Sequence, residues 1–91
     1  MILVSYDISN DKKRAKFSKY LEQYGRRIQY SVFEITNSSR LLNNIMNDIE
    51  NKFMKKFDQS DSVYIFNLSP SCQVTKYGYA KNEDNDIMII T

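Results

Sequence analysis

The chain has 91 residues, is 42% hydrophobic and 26% charged, and carries a formal net charge of +2, which predicts one small folded domain and excludes a disordered linker. One cysteine and no histidine exclude an internal disulfide, a Cys/His zinc site and a Ser-His-Asp triad, so hydrolytic chemistry would need carboxylates, hydroxyls or a hard metal ion. No run of about 18 apolar residues occurs, and no basic stretch precedes an apolar segment, so we expect a cytoplasmic protein without a membrane span or a signal peptide.

The first predicted element is a buried strand over residues 1–8, which is rich in β-branched and aromatic side chains and free of Gly and Pro. Asp7 falls at its carboxyl end. An acid at this position often serves as a turn or helix-entry residue. Because Ser9, Asn10 and Asp11 already offer capping groups, Asp7 is also a candidate for a chemical role.

A first helix follows, since apolar side chains between residues 17 and 24 recur with the i, i+3, i+4, i+7 spacing of one helical face. We expect Gly25 to end this helix in the left-handed conformation that glycine favours. Three lysines lie on a flank away from the apolar face and would contact either phosphate or water. They are Lys12, Lys16 and Lys19.

The remainder of the chain is predicted to alternate between extended and helical segments. Residues 26–36 must be extended, as one bent strand or two short ones, and apolar residues then keep helical spacing from 42 to about 56. A further strand over 62–69 is stopped by Pro70, and a weaker extended piece covers 73–79.

Two strand-helix-strand units predict an α+β fold, a ferredoxin-like βαββαβ sandwich with an extra C-terminal strand. Both helices would lie on one face of the sheet, and a second copy of the chain would cover the other face, giving a homodimer. Residues 1–80 would form the domain, and residues 81–91 would form a polar connector and an apolar strand. That strand would complete the sheet of its own dimer or bind a partner protein through Ile87, Met88, Ile89 and Ile90.

In a two-fold dimer with facing sheets, two copies of Asp7 would approach the axis and share one hard cation. Mg²⁺ is typically held by one or two carboxylates plus water, so one acid from each subunit suffices. We therefore expect Asp7 to be a catalytic metal ligand and Mg²⁺ to be the cofactor, since the metal would lower the pKa of a bound water and offset the charge of a phosphate oxygen.

Basic and aromatic side chains near this site suit nucleic acid. The front of the chain, residues 1–31, carries seven basic and three acidic residues, which suits a polyanion or is ordinary solvated helix charge. The candidate phosphate contacts are Arg14, Lys16, Arg26 and Arg27. The rings that would stack on bases, unless they belong to the core, are Tyr6, Tyr30 and Phe33.

The string VSYDIS, followed by RAK and then YGRRIQYSVFEIT, resembles the second family of CRISPR-associated (Cas) proteins. That family comprises small metal-dependent endonucleases that act in spacer acquisition beside the Cas integrase. The similarity covers nearly the whole chain, and its most specific segment runs from Gly25 to Glu34. The resemblance implies a ferredoxin-like fold and a symmetric homodimer, with Asp7 as the Mg²⁺ ligand at the dimer axis.

The resemblance also implies which other residues act. The tyrosine before the acid matches Tyr6, and the basic pair of the first helix matches Arg14 and Lys16, the second being Lys where many members have Arg. The signature arginine and phenylalanine match Arg27 and Phe33. Residues 80–91 are hardly constrained, because the last strands and tail of the family vary.

Two hypotheses about function follow, and both involve nucleic acid. Family activities range over single-stranded RNA and double-stranded DNA, so the first hypothesis is a Mg²⁺-dependent nuclease with water as the nucleophile. The second is a structural adaptor without catalysis, because in the integrase complex the dimer bridges two integrase dimers and lies under the DNA to be inserted. A toxin-like ribonuclease, or a small regulatory domain, is a third alternative.

Overall fold

The computed structural model describes residues 1–68 and 73–78 of the chain. The strands are β1 (Ile2–Asp7), β2 (Gly25–Gln29), β3 (Val32–Ile35), β4 (Ser62–Asn67) and β5 (Gln73–Gly78), and the helices are α1 (Asp11–Glu22) and α2 (Ser39–Asp48). The strands form one antiparallel sheet in the order β2-β3-β1-β4-β5. Within the described ranges, no helix is long and apolar enough to span a membrane. The predicted α+β, ferredoxin-like architecture is confirmed.

The central strand β1 has two different faces. Ile2, Val4 and Tyr6 are buried, whereas the residues between them are only half-buried and Asp7 is exposed. Side chains alternate between the two faces of a strand, so the buried set faces the helices. Asp7 therefore belongs to the opposite face of the sheet, at the end of the strand.

Helix α1 begins where the sequence predicts, because the Asn10 side chain accepts a hydrogen bond from the Lys13 backbone N–H at 2.9 Å. Phe17 and Leu21 are fully buried on its apolar face.

Gly25 does not end this helix. It is the first residue of β2, and a Cβ built there would lie only 2.0 Å from the backbone oxygen of Glu34. The left-handed helix end predicted for Gly25 is therefore wrong, and close approach of two strands explains the glycine.

The extended segment after Gly25 is a hairpin of two short strands. β2 and β3 are joined by a turn at Tyr30 and Ser31, and their register shifts between Arg27 and Gln29. The shift is an irregularity of the kind that bends a strand. The question of one strand or two is thus decided in favour of two.

The second helix extends as far as predicted, but its geometry changes along the way. Ser38 caps α2 by accepting a hydrogen bond from the Leu41 backbone N–H at 3.3 Å. After Asp48 the chain continues through a wider π-helical turn, Ile49–Phe53, and a tighter 3-10 turn, Met54–Lys56. These turns carry Phe53 against the core.

One core lies between the helices and the sheet, whereas the opposite sheet face lacks a cover among the described elements. The side chains of this open face are only half-buried, and the Tyr64 and Phe66 rings lie 6.2 Å apart on it. By register, the apolar residues of the open face are Leu3, Val32, Tyr64, Phe66 and Val74. The homodimer stays a prediction. The strand predicted at Ile87–Ile90 and the boundary at residue 80 lie outside the described residues.

Candidate functional site

Asp7 stands at the end of the central strand, past the end of one neighbouring strand. It pairs with Ser62 of β4, whereas the pairing of β1 with β3 stops at Ser5, which lies opposite Val32. The side chain of Asp7 is exposed and makes no hydrogen bond or ion pair with any residue in the described part of the chain. The carboxylate is therefore available to a ligand.

The buried carboxylate of Asp61 holds the segment that follows Asp7. Asp61 is 0% exposed. It accepts hydrogen bonds from the Ser9 backbone N–H at 3.0 Å, the Ser9 hydroxyl at 3.2 Å and the Asp58 backbone N–H at 2.9 Å. Sequence reasoning missed Asp61. The available signal was an aspartate three residues after Asp58 in a short polar loop, a pattern typical of side-chain to backbone turns.

Arg14 anchors the same segment from the other side. Its guanidinium donates to the Ile8 backbone oxygen at 3.0 Å and to the Asp11 carboxylate. The hydrogen bond with Asp11 raises the pKa of Arg14, although burial acts in the opposite direction. About a quarter of the side chain, 28%, stays exposed. Arg14 can thus bind an anion while it positions the backbone directly after Asp7.

The structure brings two of the predicted phosphate contacts together. Arg14 and Arg27 line one small pocket with a volume of about 130 Å³. The guanidinium of Arg27 lies 5.1 Å from the centroid of the Phe33 ring and donates to the Tyr30 backbone oxygen. The pocket is completed by Tyr6, Asp11, Ala15, Ser18 and Tyr30.

The predicted base-stacking rings divide into core and surface. Tyr6 is 4% exposed and Phe33 is 0% exposed, and Tyr6 packs edge-on against Phe17 at 5.2 Å. A base can stack only on an accessible ring face, so the stacking prediction for Tyr6 and Phe33 is wrong and the alternative of core packing holds. Tyr30 is 70% exposed, which leaves its ring open to a base.

Two further predicted contacts lie away from this pocket. Lys16 lies on the other flank of α1 and lines a separate cleft. Arg26 points to the opposite sheet face from Arg27, since neighbouring strand residues alternate. It is 78% exposed and pairs with Glu34 at 3.3 Å. The predicted basic residues therefore occupy three different surfaces.

The side chains near Asp7 decide whether the site suits Mg²⁺. Across 1–68 and 73–78, no three His, Cys, Asp or Glu side chains come close enough to hold a metal ion. Asp7 supplies one free carboxylate, a hard oxygen ligand of the type that Mg²⁺ prefers, and Mg²⁺ commonly keeps several waters. The Asp7 carboxylate thus suits Mg²⁺ as one ligand, with water as further ligands.

Comparison with known proteins gives the family. Residues 1–76 match the family model described as CRISPR associated protein Cas2. CRISPR-associated endoribonuclease Cas2 3 of Synechocystis sp. (strain ATCC 27184 / PCC 6803 / Kazusa) is 39% identical over 71 residues, 76% of this chain and 72% of that protein. CRISPR-associated endoribonuclease Cas2 1 of Chloroflexus aurantiacus is 37% identical over 71 residues, 78% and 74% of the two chains. CRISPR-associated endoribonuclease Cas2 2 of Methanospirillum hungatei JF-1 is 32% identical over 94 aligned positions, 97% of each chain. The resemblance noted in the sequence is confirmed, and the chain belongs to the CRISPR associated protein Cas2 family.

Proposed function

We propose that this chain is a Mg²⁺-dependent endoribonuclease that works as a two-fold homodimer and acts in CRISPR spacer acquisition beside the Cas integrase, in the cytoplasm. The observation that carries the proposal is Asp7, an exposed carboxylate without a partner among the described residues, placed at the end of the central strand. Relatives that are 32% to 39% identical are named endoribonucleases, which supports RNA as a substrate.

Each residue of the site has a separate task in this proposal. Asp7 and its copy in a second chain hold the metal between them. The chemistry that Mg²⁺ supplies when bound is a lowered pKa for water and an offset for the charge of a phosphate oxygen. Arg14 and Arg27 bind phosphate oxygens with their guanidinium groups, and Asp61 keeps the backbone after Asp7 in place through the Ser9 N–H.

A second candidate function is a structural adaptor without nuclease activity. The dimer would then supply a rigid basic surface for duplex DNA and a docking edge for the integrase. The observation that favours it is the sparse ligand set, since no cluster of three metal-binding side chains occurs in the described ranges. In either function, the partner-binding segment Ile87–Ile90, which lies outside those ranges, stays the expected contact for the integrase.

The nuclease proposal is tested by the substitution Asp7→Asn. We expect the wild type to cleave labelled single-stranded RNA in the presence of Mg²⁺ and cleavage to stop when a chelator is added. The cleavage rate of the variant should fall at least about 100-fold, because an amide oxygen is a much weaker ligand for a hard cation. Duplex DNA is assayed in the same way, and binding is recorded on the same samples.

Glu22→Gln is the matched control, since it removes one exposed carboxylate on α1, away from Asp7. This variant should cleave RNA at the wild-type rate. Cleavage by Asp7→Asn at the wild-type rate would contradict the nuclease proposal. Salt-sensitive DNA binding by both proteins, without cleavage by either, would establish the adaptor function instead.

A further inference from the structure

A second surface of interest lies on the helix side of the sheet, between the start of α1 and the turns that follow α2. It is a cleft with a volume of about 240 Å³, which we call the lysine cleft. Its floor is apolar and its rim is basic. The floor consists of Ile8, Phe53 and Phe57, and the rim consists of Lys13, Lys16, Lys52 and Lys56.

Two of the four rim lysines are engaged, and two are available. Lys13 pairs with Asp58 at 3.6 Å and donates to the backbone oxygen of Lys56. Lys52 pairs with an acid one turn earlier at 3.8 Å. The ammonium groups of Lys16 and Lys56 make no ion pair with any acid in the described ranges. The cleft therefore keeps positive charge that no acid of the described residues neutralises.

The floor of the cleft offers aromatic surface beside these cations. Phe53 is held from behind by the Phe17 ring at 4.9 Å, and both Phe53 and Phe57 are half-buried, so part of each ring reaches the cleft. Aromatic rings next to cations are the combination that binds unpaired bases together with their phosphates. A flat duplex backbone would use the lysines but not the rings.

The size of the cleft restricts the ligand further. Pockets for drug-sized ligands are about 300–1,000 Å³, and this cleft is slightly smaller, at about 240 Å³. One planar base fits such a volume, whereas a stacked base pair does not. The volume thus favours a single unpaired base over a duplex.

The cleft and the proposed metal site are neighbours in the sequence. Ile8, which forms part of its floor, directly follows Asp7, and it is 3% exposed. Asp7 itself belongs to the opposite face of the sheet, where its carboxylate lies exposed at the end of β1.

The geometry points to the lysine cleft as a binding site for one unpaired nucleotide of single-stranded RNA, with its base on Phe57 and its flanking phosphates on Lys16 and Lys56. The choice of RNA rests on the proposed function. The preference for a single strand over a duplex comes from the volume and the aromatic floor of the cleft alone.

The test measures binding without cleavage. Every variant is made in the Asp7→Asn chain and kept in chelator, and the fluorescence anisotropy of a labelled oligouridine and of a duplex of equal length is followed at several salt concentrations. Lys56→Ala should weaken oligouridine binding about three- to tenfold and reduce the slope of log K against log salt by about 0.7, since one phosphate contact is lost.

Lys55→Ala is the matched control. Lys55 precedes Lys56 on the same 3-10 turn and is also exposed, but it does not line the cleft. It removes the same charge and should change oligouridine binding less than about twofold. Equal losses in the two variants would overturn the proposal, because the lysines would then act only through diffuse charge.

A third variant tests the aromatic floor. Phe57→Leu keeps an apolar side chain but removes the ring, so oligouridine binding should fall about fivefold while duplex binding stays unchanged. A thermal melt checks that this variant is folded. Equal losses for the oligouridine and the duplex would overturn the proposal, since the cleft would then contact only backbone phosphates.

The chain itself supplies the competing occupant. Its last residues combine acids, Glu83, Asp84 and Asp86, with the apolar Ile87–Ile90. If deletion of residues 81–91 tightens oligouridine binding in the parent chain but not in Lys56→Ala, the segment and the oligouridine compete for the cleft, which supports the proposal. Failure of the nuclease proposal would appear as absence of RNA cleavage by the wild type. The binding measurements do not depend on cleavage, so the two proposals can fail separately.

Discussion

A buried acid and a partly exposed arginine hold the backbone segment that follows Asp7. Asp61 accepts three hydrogen bonds from Ser9 and Asp58, and Arg14 donates to the Ile8 oxygen at 3.0 Å. Buried polar groups of this kind are costly unless they are satisfied, so the segment after β1 has little freedom. Asp7 can therefore stay exposed at a fixed position, without a partner among the residues that the structure describes.

Tyr20 makes the stability of the protein sensitive to alkaline pH. It donates to Asp48 Oδ2 at 2.6 Å, and burial, followed by this hydrogen bond, raises its pKa above the ordinary value. The folded state thus keeps the proton at a pH where the unfolded chain loses it. The stability from this group is present below about pH 10 and falls as the pH rises further.

We expect Tyr20→Phe to lower the free energy of unfolding by about 1 kcal/mol at pH 7, and we expect this difference to shrink between about pH 10 and pH 12. Urea unfolding of both proteins across this range measures it. Tyr64→Phe, on the open face, is the control for removing a tyrosine hydroxyl elsewhere. A difference between wild type and Tyr20→Phe that stays constant to pH 12 would contradict the linkage.

At the scale of elements, periodicity predicts the helices and strands well, because it depends on near neighbours in the chain. The apolar spacing that places α1 is confirmed by the buried Phe17 and Leu21. The helix end predicted at Gly25 is wrong because the glycine is required by a neighbour in space, Glu34, which lies in another strand. No local pattern reveals how closely two strands approach.

The close approach of β2 and β3 makes Gly25 difficult to replace. In Gly25→Ala the new Cβ would meet the Glu34 backbone oxygen at 2.0 Å, so the hairpin must shift, and we expect a loss of at least about 2 kcal/mol in unfolding free energy. Chemical denaturation measures the loss, and Gln29→Ala, an exposed change in the same strand, should cost less than about 0.5 kcal/mol. Similar midpoints for Gly25→Ala and the wild type would contradict the steric explanation.

At the scale of the whole molecule, the two faces of the sheet differ in what covers them. The helix face is filled by the core, and the open face presents half-buried apolar side chains together with Asp7 at its end. A chain of this size has a thin core. Association through the open face would bury these side chains and bring two copies of the Asp7 carboxylate together.

We therefore expect Phe66→Glu, a charge in the middle of the open face, to convert the dimer to a monomer and to abolish Mg²⁺-dependent cleavage. Burying an unpaired charge in an interface costs several kcal/mol, which is enough to dissociate a small dimer. Sedimentation equilibrium at several concentrations measures the mass relative to 10.8 kDa per chain. Lys12→Glu places the same side chain on α1 and should leave the dimer intact. A dimer that survives Phe66→Glu would show that the open face is not the interface.

The sequence by itself determined the order of the elements, the α+β architecture, the family and the position of Asp7 at a strand end, because each follows from local spacing or from a contiguous motif. Only the tertiary structure decided which candidates share a surface. It separated Lys16 from the pocket of Arg14 and Arg27, and it buried Tyr6 and Phe33 in the core. It also joined Ser9 to an acid 52 positions away. Such contacts depend on sheet register and helix packing, which bring together residues that no local pattern connects.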